Sequence, residues 1–348
     1  MRPERGELLP RPARRPARAD PAPVAGGLRR LPARLGGALV TLWAIATALF
    51  LLVHLAPGDP AVALGGDFQT AGTLAAERER LGLDRGTAAR YAAWLAGLAR
   101  GDLGESLQFR APVATVIAER LPVTLALVLP AFLLSTVAGT WLALRAAQAP
   151  GGVPYRLIGA AILALYALPV YAVAHLLILA FAVELGWLPV QGLRDLRAPA
   201  AGAGPQALEA LRHLALPVAA LASQQLALVW LVLRAGLIEA RAAPHFTTAR
   251  AKGLCVGAAL RGHALRQAGV GLTAVLGARF AGLLTAATLV EVVFGLPGIG
   301  RLMAQAALAR DHPLLMGCFL CVVVLTLAAN GLADAVCRRL DPRIVARR

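Results

Sequence analysis

The sequence predicts an all-α polytopic membrane protein, and three observations carry that expectation. Apolar residues make up 58% of the 348-residue chain and charged residues 16%, against roughly 45–50% and 25% in soluble globular proteins. Several apolar stretches match the roughly 20 residues needed to cross a hydrocarbon core about 30 Å thick. The formal net charge of +16 would suggest nucleic acid in a soluble chain. Here the basic residues gather at the ends of the apolar stretches, where positive-inside topology places them.

Residues 1–37 hold nine arginines and no apolar periodicity, and read as a disordered basic tail on the cytoplasmic side. A first span is expected from Ala38 to Ala56. Its length, and the turn Pro57-Gly58-Asp59-Pro60 after it, favour an uncleaved anchor over a cleaved signal peptide. From Pro57 to Leu121 runs a polar region with eight acidic and seven basic residues, lacking the positive bias of a cytoplasmic loop. Residues 38–121 therefore read as the first transmembrane helix plus an extracytoplasmic scoop. Tyr91, Trp94, Leu95 and Leu98 recur there at helical spacing, as in a helix lying against the membrane surface or the body of the protein.

Five more spans are expected, at Pro122–Leu144, Leu157–Leu185, Leu214–Leu237, Val270–Phe294 and Pro313–Val336. They make a five-helix core over 122–337, followed by a cytoplasmic tail at 338–348. Pro169 should kink the third span. Six spans put both termini on one side, and the loops so assigned to the cytoplasm hold the larger share of the lysine and arginine.

Between the fourth and fifth spans, residues 238–267 form a basic loop. Pro244 can start a helix, with Phe246 and Ala249 on one face, and Gly253 then breaks or caps it. A second short helix can follow through Leu260 and Leu265. The product is a helical elbow surrounded by Arg241, Arg250, Lys252, Arg261 and Arg266. Lys252 is the chain's only lysine and is followed by glycine, so no phosphate loop of the G-x-x-x-x-G-K-[ST] type is present. A machine built on this chain and driven by ATP would need another chain to hold the nucleotide.

Other chemistries find little support. Cys318 and Cys321 fall within an apolar span with no flanking histidine, and read as small packing residues. The six histidines show no metal-ligand spacing, and no nucleophile–base constellation suggests a membrane hydrolase. No cofactor or metal is expected. Arg279, near the middle of the fifth span, and Glu291, near its outer end, are charges in an apolar setting. Such residues face protein or water, so both are candidates for a translocation path, with an ion pair or a contact to a partner subunit as the alternative. The turn Leu296-Pro297-Gly298-Ile299-Gly300 lets backbones approach closely.

The loop sequence ARAKGL (Ala249–Leu254) with HALRQA (His263–Ala268) resembles the coupling loop of inner-membrane permeases of bacterial ABC importers, in the dipeptide, oligopeptide and nickel group. PGDPA (Pro57–Ala61), LGLD (Leu81–Asp84) and GDLGES (Gly101–Ser106) resemble the B-type subunit of that group. So do E-x-x-F-x-x-P-G-I-G (Glu291–Gly300), R-D-H-P (Arg310–Pro313), N-x-x-x-D (Asn330–Asp334) and DPRI (Asp341–Ile344), all in family order. The resemblance implies the six-helix fold of a type I ABC importer permease in the bacterial inner membrane, multi-pass, with both termini cytoplasmic. It implies a C-type permease as heterodimeric partner, two cytoplasmic ABC ATPases, an extracytoplasmic solute-binding protein and surrounding lipid, but no nucleic acid. Ala249, Arg250, Ala251, Lys252, Gly253 and His263 would then belong to the ATPase-coupling loop. Pro297, Gly298 and Gly300 would sit in an extracytoplasmic gate or turn. The solute would be a peptide, with nickel or another small solute as the alternative. An ion-coupled secondary transporter is the competing class, but it would need buried ionisable coupling sites that few of these spans offer.

Overall fold

Apolar runs too long for a soluble core become long helices in the computed structural model, which describes residues 31–55, 86–149, 151–195 and 202–340. Helix α1 (Leu31–Leu55) is followed by α2 (Thr87–Ala99) and the 36-residue α3 (Val113–Gln148). Next come α4 (Val153–Ala167) and α5 (Val170–Leu177), the latter continuing as a π-helical stretch over Ile178–Glu184. The 40-residue α6 (Ala203–Ala242) leads into the short α7 (Pro244–Ala251) and α8 (Val256–Ala259). A π-helical turn at Leu260–Ala264 opens into α9 (Leu265–Val293), after which come α10 (Ile299–Leu308) and α11 (His312–Leu340).

Four described helices are long and apolar enough to cross a membrane, and the count rises to six if two bent pairs each form one span. One pair is α4 with α5, bent by 106°. The kink expected at Pro169 is here a full break between two helices. Proline disfavours the α conformation of its predecessor, and Leu168 is extended (φ −81°, ψ 134°) with Pro169 heading a new helix. The other bend, 46° within α9, falls between Gly277 and Arg279. Pro122 and Pro130 lie inside α3, and Pro217 inside α6. Membrane helices tolerate this because neighbours satisfy the freed carbonyls.

At about 1.5 Å per residue α3 is roughly 54 Å long, and three apolar clusters stack along it. At its start Val113, Val116 and Ile117 pack on Ile299 and Leu302 of α10 and Leu314 of α11. In the middle Leu127, Val128 and Ala131 meet Leu221 of α6 and Leu283 and Leu284 of α9. At its far end Ala143 and Ala147 join Trp230, Leu233 and Leu237 of α6, with Phe246 and Leu260 of the basic loop. The pairing of α3 with α6 is the most extensive in the fold. The clusters thus define two ends of one bundle: the loop of α7 and α8 caps one, and α2 and α10 the other.

Residues 1–30 of the expected tail, Pro57–Ala61, Leu81–Asp84 and Asp341–Ile344 lie outside the described residues. Residues 31–37 of that expected tail are helical, as part of α1. The stripe on α2 packs against the protein body. Phe50 of α1 stacks with Tyr91 and Trp94, the Tyr91 hydroxyl meets Thr47 Oγ1 at 2.7 Å, and Met316 of α11 completes the cluster.

Candidate functional site

The basic loop is built outward from the ends of α3 and α6. Pro244 occupies the first turn of α7, where its missing N–H costs nothing. Phe246 and Ala249 are buried against Leu237, Ala240, Ala259, Leu260 and Ala264. That apolar face holds α7 and leaves its tip outside. Helix α7 ends in two paired hydrogen bonds: Gly253 N–H donates to Arg250 O at 3.0 Å, and Leu254 N–H donates to Ala249 O at 3.4 Å. This is a Schellman cap, which needs a left-handed residue. Gly253 supplies it with φ +88°.

Arg250, Ala251, Lys252, Gly253 and Leu254 form a continuous exposed tip. The Arg250 guanidinium donates to Leu254 O at 2.6 Å across the turn, and its charge lies at the negative end of α7. Arg261, His263 and Arg266 are also exposed, and no acidic residue occurs between Glu239 and Glu291. The Arg241 guanidinium donates to Ala147 O near the end of α3. The cationic tip is therefore joined to α3 and α6 by direct contact, and to α9 through the turn that carries His263.

The opposite end holds a second constellation, around Glu291. Its carboxylate is fully buried. Oε1 accepts from the Thr124 hydroxyl at 2.7 Å, Oε2 accepts from Arg301 N–H at 3.0 Å, and Gly300 N–H also donates to the carboxylate. Thr124 Oγ1 in turn accepts from Ile299 N–H at 2.8 Å. Between them Glu291 and Thr124 satisfy three N–H groups that the first turn of α10 would otherwise leave bare, and negative charge is favoured there. A Cβ on Gly298 would lie 2.2 Å from Glu291 Oε1, and one on Gly300 2.4 Å from Thr288 Cα. Both glycines are required by contact.

Asp311 does the same for α11. Its Oδ1 accepts from Leu314 N–H at 3.1 Å, and its Oδ2 accepts from the Ser106 hydroxyl at 2.6 Å and from Gln108 N–H at 2.9 Å. Two of the family-like motifs, GDLGES and R-D-H-P, therefore meet in one buried node 205 residues apart in sequence.

Of the two residues expected on a path, Arg279 has an exposed side chain beside the bend in α9. Glu291 presents no oxygen to a solute in this conformation, because its carboxylate is engaged in capping α10. The Glu291–Thr124 pair and α10 itself were not foreseen. Thr124 has no local signal, being 167 residues from its partner. The Asp311 cap was missed as well, although Asp followed by His312-Pro313 has the form of a helix start and could have revealed it. Among the described residues no group of three His, Cys, Asp or Glu side chains could hold a metal ion.

A bundle of helices long and apolar enough to cross a membrane, with a cationic elbow at one end, defines a helical membrane protein. The chain belongs to the family described as "binding-protein-dependent transport system inner membrane component", whose model matches residues 135–346, with the family's N-terminal model matching 27–128. It is a multi-pass permease subunit of an ABC importer and not itself an enzyme; such subunits work with an ATPase and a binding protein. A probable peptide ABC transporter permease protein of Sinorhizobium fredii is 33% identical over 311 residues, covering 89% of this chain and 97% of the relative. The di/tripeptide transport system permease protein DppB of Pseudomonas aeruginosa is 33% identical over 325 residues with the same coverage. A glutathione transport system permease protein, GsiC, of Escherichia coli is 30% identical over 311 residues, again covering 89% and 97%. The solved inward-facing MetNI methionine ABC transporter shares the fold, with a TM-score of 0.52 at 16% identity over 65% of this chain and 97% of that one.

Proposed function

We propose that this chain is the B-type permease of a heterodimeric importer for peptides or similar small solutes, with both termini in the cytoplasm and the exposed part of the Ala249–Gly253 segment, Arg250 to Gly253, seated in a groove of an ABC ATPase while Ala249 stays in the footing. The observation that carries the reading is the exposed cationic tip on a buried apolar footing. Cations give complementarity and register to an acidic groove. The footing on α3, α6 and α9 lets a rigid-body movement of the ATPases enter the bundle. Nucleotide then shifts the balance between outward and inward states, because the loaded ATPases bind one state better than the other. The peptide-permease names of the relatives support the solute class, and the resemblance to B-type subunits supports a C-type partner. Arg279 is the residue proposed to border the path, since its exposed guanidinium sits at a helix bend. Glu291 serves the path indirectly, by fixing α10 near the mouth beside Pro297, Gly298 and Gly300.

The test is cysteine crosslinking of Lys252→Cys in the assembled complex, with uptake measured in proteoliposomes. Crosslinks to the ATPase and loss of uptake on crosslinking are expected. Labelling of the introduced thiol from outside intact cells, or uptake that persists without the ATPase, refutes the proposal.

A further inference from the structure

At the end of the bundle that the proposed orientation puts outside the cell, a pocket of about 290 Å³ opens between α3, α10 and the segment after Ser106. Its polar lining is cationic and amide: Arg120 from α3, Arg301 and Gln305 from α10, and Gln108, with Pro297 and Gly298 at the edge. Among the described residues no acidic side chain lines it. The nearest buried carboxylates, Glu291 and Asp311, point their oxygens at internal donors and are closed to solvent. Arg301 is held by donation from its guanidinium to Gly295 O. Arg120 is different. Its Nε is buried without a hydrogen-bond partner, and a buried donor left bare in a native structure requires an explanation.

From this geometry we infer that the pocket is a binding site for a carboxylate. A guanidinium presents two parallel N–H groups that match a carboxylate in bidentate fashion. Arg120 Nε is closed to solvent here, so a bound oxygen reaches it only when the Arg120 side chain turns toward the pocket, while amides of Gln108 and Gln305 can complete the shell. A site of this size holds the end of a small solute or one side chain, not a whole oligopeptide. Two carboxylates can reach it from outside: the terminal carboxylate of a peptide in transit, and an acidic side chain of the protein that delivers it. The inference rests on the importer reading above and adds to it the chemistry recognised at the mouth.

The experiment uses the complete transporter in proteoliposomes with its binding protein. It compares wild type with Arg120→Gln, Arg120→Lys and Gln305→Glu. The last variant keeps both arginines and places a competing carboxylate on an exposed position. Arg120→Gln and Gln305→Glu are expected to act alike, by about tenfold, the worth of one charge-assisted hydrogen bond, with Arg120→Lys falling less. If uptake of a dipeptide falls at saturating binding protein while its C-terminal amide is carried as by wild type, the solute supplies the carboxylate. If instead the binding-protein concentration for half-maximal ATPase stimulation rises for every solute, the delivering protein supplies it. Unchanged behaviour in both assays overturns the inference, as does an effect of Arg120→Gln that Gln305→Glu fails to reproduce. Should Arg120→Gln not assemble, Gln305→Glu decides alone. A wild-type complex that carries no peptide refutes the solute class, and the binding-protein titration still judges the pocket.

Discussion

Thr124→Val removes one oxygen and changes little else, so it isolates the link between α3 and α10. Thr124 is 4% exposed and sits between two partners, accepting from Ile299 N–H and donating to Glu291 Oε1. Valine preserves the shape. It leaves the Ile299 N–H buried and bare, at about 1–3 kcal/mol, and deprives a charged acceptor of one donor, at about 1.5–3 kcal/mol. The carboxylate keeps the Arg301 and Gly300 N–H groups and the two losses share one atom, so they do not add fully. A net cost of about 3 kcal/mol follows. Thr124→Ser keeps the hydroxyl and loses a methyl group, at about 1 kcal/mol. Unfolding of both purified variants by detergent titration in mixed micelles measures the difference, and proteolysis near Pro297 reports whether α10 has loosened. The reasoning fails if Thr124→Val lies within about 0.5 kcal/mol of wild type, or if serine is as costly as valine.

Gly253→Ala forces a side chain into φ +88° at about 1–2 kcal/mol; binding-protein-stimulated ATPase activity should fall while the bundle stays folded, and Gly253→Asn, tolerated at such caps, should retain more of it. Asp311→Ala strands the Ser106 hydroxyl and the Gln108 and Leu314 N–H groups, so a loss of about 3–5 kcal/mol is expected by the same titration. Arg279→Gln should leave assembly intact, because the side chain is exposed. Uptake should drop by about tenfold, the worth of one charge-assisted contact; undiminished uptake removes Arg279 from the path.

What could be read in the chain was whatever depends on neighbours in sequence. Apolar run length marked the spans because a bilayer sets a minimum length for any helix that crosses it. The elbow was legible because Pro244 and Gly253 act on their own turns; that Arg250, Lys252 and Gly253 lie on its exposed tip is seen only in the structure. The stripe of Tyr91 and Trp94 was visible, though not the Phe50 side chain that it covers.

Tertiary structure decided everything that joins distant segments. Pro169 predicts a break, but a bend of 106° depends on what α4 and α5 each pack against. Glu291 is the clearest case. As a charge in an apolar run it suggested a path residue, yet its carboxylate closes the first turn of α10 with help from Thr124 on another helix. Burial makes an unpaired charge costly, and composition cannot say which donors will offset that cost. The same holds for Ser106 with Asp311 and for the bare Nε of Arg120. Sequence determined which groups are polar and which are buried by default; only the packing of α3, α9, α10 and α11 determined which of those groups meet.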